Sequence, residues 1–237
     1  MVKIGKWHAK RLRTIYNSAG WPYLDTIEIE LLAAGMAERI PSENGLETIR
    51  VTDAGFKFIA LHIEQNRQAF SKHQVLVEKV AQQMLLKRRI VWCNLPLRAQ
   101  ILDIQTNKIK WCMSKPDVFS IRNTSVETYV EPIVHEIKVS RTDFLGDIKN
   151  PKKRAAYCNL GQCWYVLGRN KQGDLIAQPE EVPLECGVIG ISNMEKLEVI
   201  RHPPMRPWQK LPFHVWLALA KAIPTSWPKD DNQYSLI

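Results

Sequence analysis

No stretch of the 237 residues approaches the roughly 20 apolar residues of a membrane-spanning helix. Residues 1–10 also lack the apolar core of a signal peptide, which predicts a cytoplasmic protein. Cysteine is scarce: five residues, odd in number and irregularly spaced, fit reduced thiols rather than a disulfide framework. Cys158 and Cys163 have no CxxC partner of the kind that marks zinc, so they read as half-buried helix and strand residues. No Pro-, Gly- or Ser-rich linker interrupts the chain near residue 70, so its two modules are expected to be tightly coupled.

Acid is the charge in short supply. Lys and Arg number 33 against 24 Asp and Glu, a net charge of +9. That excess favours an anionic partner, and both nucleic acid and an anionic membrane surface answer the description. A hydrophobic content of 45% suffices for an ordinary core, and the length suits one large or two small domains.

Residues 1–69 read as a small module. Lys3, Lys6, Lys10, Arg11 and Arg13 crowd its start, as either a solvated face or a phosphate-contacting arm. Helices are expected over residues 8–19, ended by Gly20, and over residues 25–34, ended by Gly35. Asn44-Gly45 between strand-like flanks predicts a hairpin, and Asp53-Ala54-Gly55 opens a further helix over residues 56–66. Helices, hairpin and helix form a winged-helix pattern, and Val51-Thr52-Asp53-Ala54-Gly55 is similar to a phrase found in winged-helix regulators. The second helix carries Asp25, Glu28 and Glu30, which phosphates would repel. The module therefore binds DNA through its basic start, or binds protein.

Ser71 and Gln74 have capping-box spacing, so a new helix is expected over residues 71–87 with Leu76, Val77, Val80, Ala81 and Met84 as its apolar stripe. This opens the second domain, residues 70–228, with residues 229–237 as a polar tail. His73 lies on the apolar side and reads as a packing histidine. Ile90-Val91-Trp92 predicts a first strand, and residues 96–115 hold short strand signals without a clear arrangement.

The chemistry gathers over residues 116–138. Asp117 precedes a β-rich run, and a polar turn later comes Ile133-Val134-His135-Glu136-Ile137-Lys138. Side chains alternate along a strand, so Glu136 and Lys138 share a face while His135 and Ile137 take the other. If the two strands are neighbours, Asp117 joins Glu136 and Lys138. Two carboxylates suit a hard divalent cation, and a lysine can orient a water or hold a phosphate oxygen.

Pro116-Asp117 followed by Glu136-Ile137-Lys138 resembles the signature of the PD-(D/E)xK nuclease superfamily, with its restriction-endonuclease-like fold. The continuation Val139-Ser140-Arg141-Thr142-Asp143-Phe144 with Asp147 and Lys149, and the later Gly173-Asp174, Glu181-Val182-Pro183 and Gly187-Val188-Ile189, resemble its MmcB-type DNA-repair branch. The resemblance covers residues 70–220. It implies an α/β fold with a mixed central sheet behind the winged helix, and Mg²⁺- or Mn²⁺-dependent endonuclease cleavage of DNA. Asp117 and Glu136 would be metal ligands with the Ile137 carbonyl, and Lys138 would assist catalysis. DNA repair, restriction and mobile-element biology are settings for such an enzyme, at the nucleoid. Asp143 and Asp147 match the family pattern or cap the next helix.

Other candidates stand further out. The resemblance implies that the helix at 71–87 can add a carboxylate to the metal site; Glu78 is its only candidate, the other reading being an exposed helix-surface residue. After Val139 a loop is expected, then a helix over residues 150–160 with Lys152, Lys153 and Arg154 in its first turn. That is the wrong end of the helix dipole for cations, unless DNA phosphates bind there. Tyr157 is a candidate for stacking or substrate contact. Residues 163–167 and 187–192 predict strands and 211–222 a last helix. The rival reading is a non-cleaving winged-helix DNA-binding regulator with an inactive nuclease fold, and a third is a protein-interaction adaptor. The oligomeric state is left open, a homodimer among the options.

Overall fold

The computed structural model describes residues 4–18, 20–41, 45–103, 107–192, 194–205 and 210–226. The expected Asn-Gly turn and the polar tail lie wholly or largely outside these residues. The chain divides into two compact units, residues 1–70 and 71–237.

In the first unit, helices α1 (Lys6–Tyr16) and α2 (Thr26–Ala33) precede strands β1 (Ala37–Pro41) and β2 (Glu47–Val51) and the start of helix α3 (Asp53–Leu86). Asp25 caps α2 by accepting from the Glu28 N–H. β1 and β2 pair antiparallel, Ala37 opposite Val51. Leu12, Ile15, Leu31, Ile49, Val51 and Ile59 form the core. Gly20 has φ +74°, and its carbonyl accepts from the Ile49 N–H at 2.6 Å. A Cβ there would clash with the Ile49 carbonyl oxygen, so only glycine fits.

The helices expected over residues 56–66 and 71–87 are one helix, α3, with the division between the units inside it. Ser71 is therefore a mid-helix residue and not a cap; Gln74 donates instead to Glu78, one turn on. The residues from 53 to 86 include no proline and only one glycine, Gly55 in the first turn, so nothing in the chain breaks the helix.

The second unit is an α/β structure around a six-stranded mixed sheet. Its strands are β3 (Arg89–Cys93), β6 (Val118–Arg122), β7 (Ile133–Lys138), β8 (Gln162–Leu167), β9 (Gly187–Ile191) and β10 (Leu197–Arg201), in the order β10-β9-β8-β7-β6-β3. β7, β8 and β9 run parallel, and the other neighbours are antiparallel. Strands β4 (Leu97–Asp103) and β5 (Lys108–Ser114) form a separate two-stranded sheet, which arranges the signals left open over residues 96–115.

Each sheet face has its own core. Val118, Ile137, Trp164, Val166 and Ile189 pack against Leu76, Val77, Val80 and Met84 of α3. Phe119, Val134, Tyr165 and Leu167 face the opposite core, which includes residues of helices α4 (Arg141–Ile148), α5 (Pro151–Leu160) and α6 (Phe213–Lys221). Helix α4 stands where the sequence suggested a loop. Ser140 caps it by accepting from the Asp143 N–H, and Phe144 is its buried anchor. The period-two alternation of β7 thus aims Glu136 and Lys138 at the α4–α5 side.

Candidate active site

Asp117 stands one residue before β6, and Val118 pairs with His135 of β7. Antiparallel pairing therefore sets Asp117 beside Glu136. The Asp117 carboxylate accepts from the Ile137 N–H at 2.7 Å, which fixes its orientation. From α3, His73 Nε2 approaches the same oxygen at 3.3 Å. That contact holds the His73 imidazole above its ordinary pKa. His73 is thus more than a packing residue: it touches the site.

Glu136 is almost fully buried. Its Oε1 receives two ammonium groups, Lys138 at 2.8 Å and Lys153 at 2.6 Å. Its Oε2 is buried with no hydrogen-bond partner. Burial first, and Asp117 next, raise the Glu136 carboxyl above its usual range against the pull of the two lysines. Lys138 also lies 3.2 Å from Asp143 and 3.6 Å from Asp147 of α4. Burial lowers its pKa, but Glu136 and Asp147 outweigh that and leave it above the ordinary lysine value. Asp147 accepts from Lys153 at 2.6 Å and from the Tyr165 hydroxyl at 2.7 Å. Although burial opposes it, these partners and the Lys138 charge keep Asp147 below the usual carboxylate range.

Asp117, Glu136 and Lys138 therefore come together, and Lys153 joins them. The expected basic cluster is not a single patch. Lys152 is exposed, Lys153 turns inward onto Glu136, and Arg154 donates to Glu185 at 2.7 Å. Helix α5 is the reason, because three successive residues point about 100° apart around its axis. Tyr157 lies beside Glu136 with its hydroxyl donating to the Lys115 carbonyl at 3.1 Å, and Lys153 sits over its ring. Burial is the main reason its hydroxyl resists ionisation. Glu78 is exposed and accepts a hydrogen bond from Gln74.

Asp147, Tyr165 and His73 were not assigned from sequence. For Asp147 a signal exists: Asp143 and Asp147 are four apart, one face of a helix that Ser140 starts. His73 and Tyr165 carried none, since only the fold brings them in.

Four carboxylates, those of Asp117, Glu136, Asp143 and Asp147, meet two ammonium groups here. Carboxylates outnumber ammonium groups in the cluster, and the buried Glu136 oxygen without a partner is open to a cation or a proton. An oxygen donor set of this kind fits Mg²⁺ or Mn²⁺. No family model, curated protein or solved structure matches the chain.

Proposed function

We propose that the protein is a metal-dependent DNA endonuclease whose active site is built on Asp117, Glu136 and Lys138. The observation that carries the proposal is the meeting of Asp117 with the buried Glu136, whose Oε2 is unpartnered, next to the Lys138 ammonium. Asp117, Glu136 and the Ile137 carbonyl would hold Mg²⁺ or Mn²⁺. When bound, the ion supplies an acidified water and offsets charge on the phosphate.

The side chains do the rest. The Ile137 N–H pins Asp117, so its remaining lone pairs stay aimed at the site. Lys138, held by carboxylates on three sides, is a fixed donor for a phosphate oxygen in the transition state, and a fixed donor needs no reorganisation as charge develops. Lys153 bridges Glu136 and Asp147 and so locks the β7 carboxylate to α4 and α5.

The first unit, read as a winged helix, would add affinity for DNA. The acidic residues of and before α2 do not stand free. Asp25 pairs with Arg11 at 2.6 Å, Glu30 with His8 at 2.6 Å, and buried Glu28 accepts from the Tyr23 N–H and Arg39. Lys6 and Lys10 flank the exposed Trp7 ring on α1, a surface suited to phosphate and base contact.

The test is gel analysis of supercoiled plasmid and single-stranded DNA with Mn²⁺ and with EDTA. Nicked or linear product that requires metal is expected. DNA binding without cleavage on any substrate would favour the regulator reading instead.

A further inference from the structure

In the core on the α5 side of the sheet, three cysteines converge. Cys158 comes from α5, Cys163 from β8 and Cys186 from the turn before β9. Their sulfur atoms all lie within 4.8 Å of one another. All three belong to the core, at 9%, 1% and 0% exposure. Five and then 23 positions separate them, so the cluster is a product of the fold and not of a local motif.

We propose that Cys158, Cys163 and Cys186 form a structural site for one thiophilic cation, zinc in the first instance, which staples α5 to the central sheet. Tetrahedral zinc with Zn–S bonds of about 2.3 Å sets its sulfurs about 3.8 Å apart, so the triad need close by no more than about 1 Å. An all-sulfur set selects soft cations over Mg²⁺ and Mn²⁺, which the oxygen set around Glu136 suits. The two sites therefore do not compete. Three thiolates around a divalent ion leave one negative charge, and the Arg154 guanidinium is near enough to Cys186 to feel its charge. With three protein ligands, the fourth tetrahedral position would be taken by water, as in zinc sites that keep an open position.

A cysteine binds the cation as its thiolate, so uptake releases protons and should strengthen as pH rises. The position also has a consequence. The helix α5 that the ion would fasten carries Lys153 and Tyr157 into the candidate active site. Cysteine as a small apolar core residue is the alternative, and it predicts no metal uptake.

The experiment uses the full chain, reduced, stripped with EDTA and titrated with Co²⁺ as the probe. One cobalt per chain is expected, with the near-ultraviolet sulfur-to-cobalt absorption that oxygen ligands do not give, and zinc should displace it. Cys186→Ser and Cys186→Ala should lose the band while keeping the wild-type circular dichroism spectrum, and Cys112→Ser should retain it. If Cys186 variants do not fold, zinc protection of the Cys158, Cys163 and Cys186 thiols against alkylation in the wild type, mapped by mass spectrometry, decides in their place. Absence of the band in reduced wild type, its persistence in a folded Cys186 variant, or equal alkylation with and without zinc would each overturn the site. None of these readouts depends on DNA cleavage.

Discussion

Glu136 spends one oxygen on two lysines and leaves the other buried and unpaired. Stability alone would disfavour such an oxygen, since an unsatisfied buried polar atom costs about 1–3 kcal/mol. A ligand would remove that cost. Asp117→Asn tests the metal pairing cleanly, because the amide oxygen can still accept from Ile137 N–H. Calorimetric titration with Mn²⁺ should show binding lost or weakened at least tenfold, with stability changed by no more than about 1 kcal/mol. Equal affinity would remove Asp117 from the site. Burial, then Arg89 and Lys87, lower the His135 pKa to about 3, so the native state keeps it neutral. Between about 3 and 6.5 the unfolded chain binds a proton that the native chain does not. Stability is therefore full above 6.5 and falls as pH drops through that window, by about 1.4 kcal/mol per unit at most. In urea titrations from pH 7 to 5, His135→Gln should lose stability less steeply than wild type. Parallel pH dependence would mean His135 is not buried neutral.

At the scale of elements, strand alternation made the centre of the site legible: two residues apart on β7, Glu136 and Lys138 had to share a face. Neighbouring strands in sequence also paired, which delivered Asp117. The contacts from other elements were not legible. Lys153 reads as one of three helix-start cations until α5 is docked, when geometry alone decides which of the three turns inward. Helix α3 failed for a different reason. Ser71 and Gln74 do match a cap, but a cap matters only where a helix begins, and residues 60–75 contain nothing to end one. Lys72→Pro separates the two readings. Proline is accepted at the first helical position after a cap, yet costs about 3 kcal/mol in a helix interior. Thermal and urea unfolding should show the larger loss, and a neutral effect would restore two helices.

Across the whole molecule the positive charge is uneven. Residues 1–70 hold nine basic and eight acidic side chains, so nearly all of the net +9 belongs to the second unit. No helix among the described residues is long and apolar enough to cross a membrane. DNA affinity should therefore survive in large part on the second unit's surface and weaken steeply with salt. Of the three cations at the start of α5, Lys152 alone is placed to lose a phosphate contact. Lys152→Ala should lower the slope of log affinity against log salt by about one, while Arg154→Ala, losing the Glu185 pair, should change stability and leave the slope nearly unchanged. Equal slopes for wild type and Lys152→Ala would show a solvated lysine.

If the cluster around Glu136 cleaves DNA as proposed, Lys138 is the residue whose loss should show it. Lys138→Met keeps much of the apolar stem and deletes the charge held between Glu136, Asp143 and Asp147. Single-turnover cleavage with Mn²⁺ is measured beside filter binding in Ca²⁺, with a thermal melt confirming that the variant is folded. Wild type should cleave, and the folded variant should bind DNA nearly as well yet cleave roughly a hundred- to a thousandfold more slowly, the loss of about 3–4 kcal/mol expected for one fixed donor in the transition state. Cleavage by Lys138→Met at the wild-type rate would contradict the account.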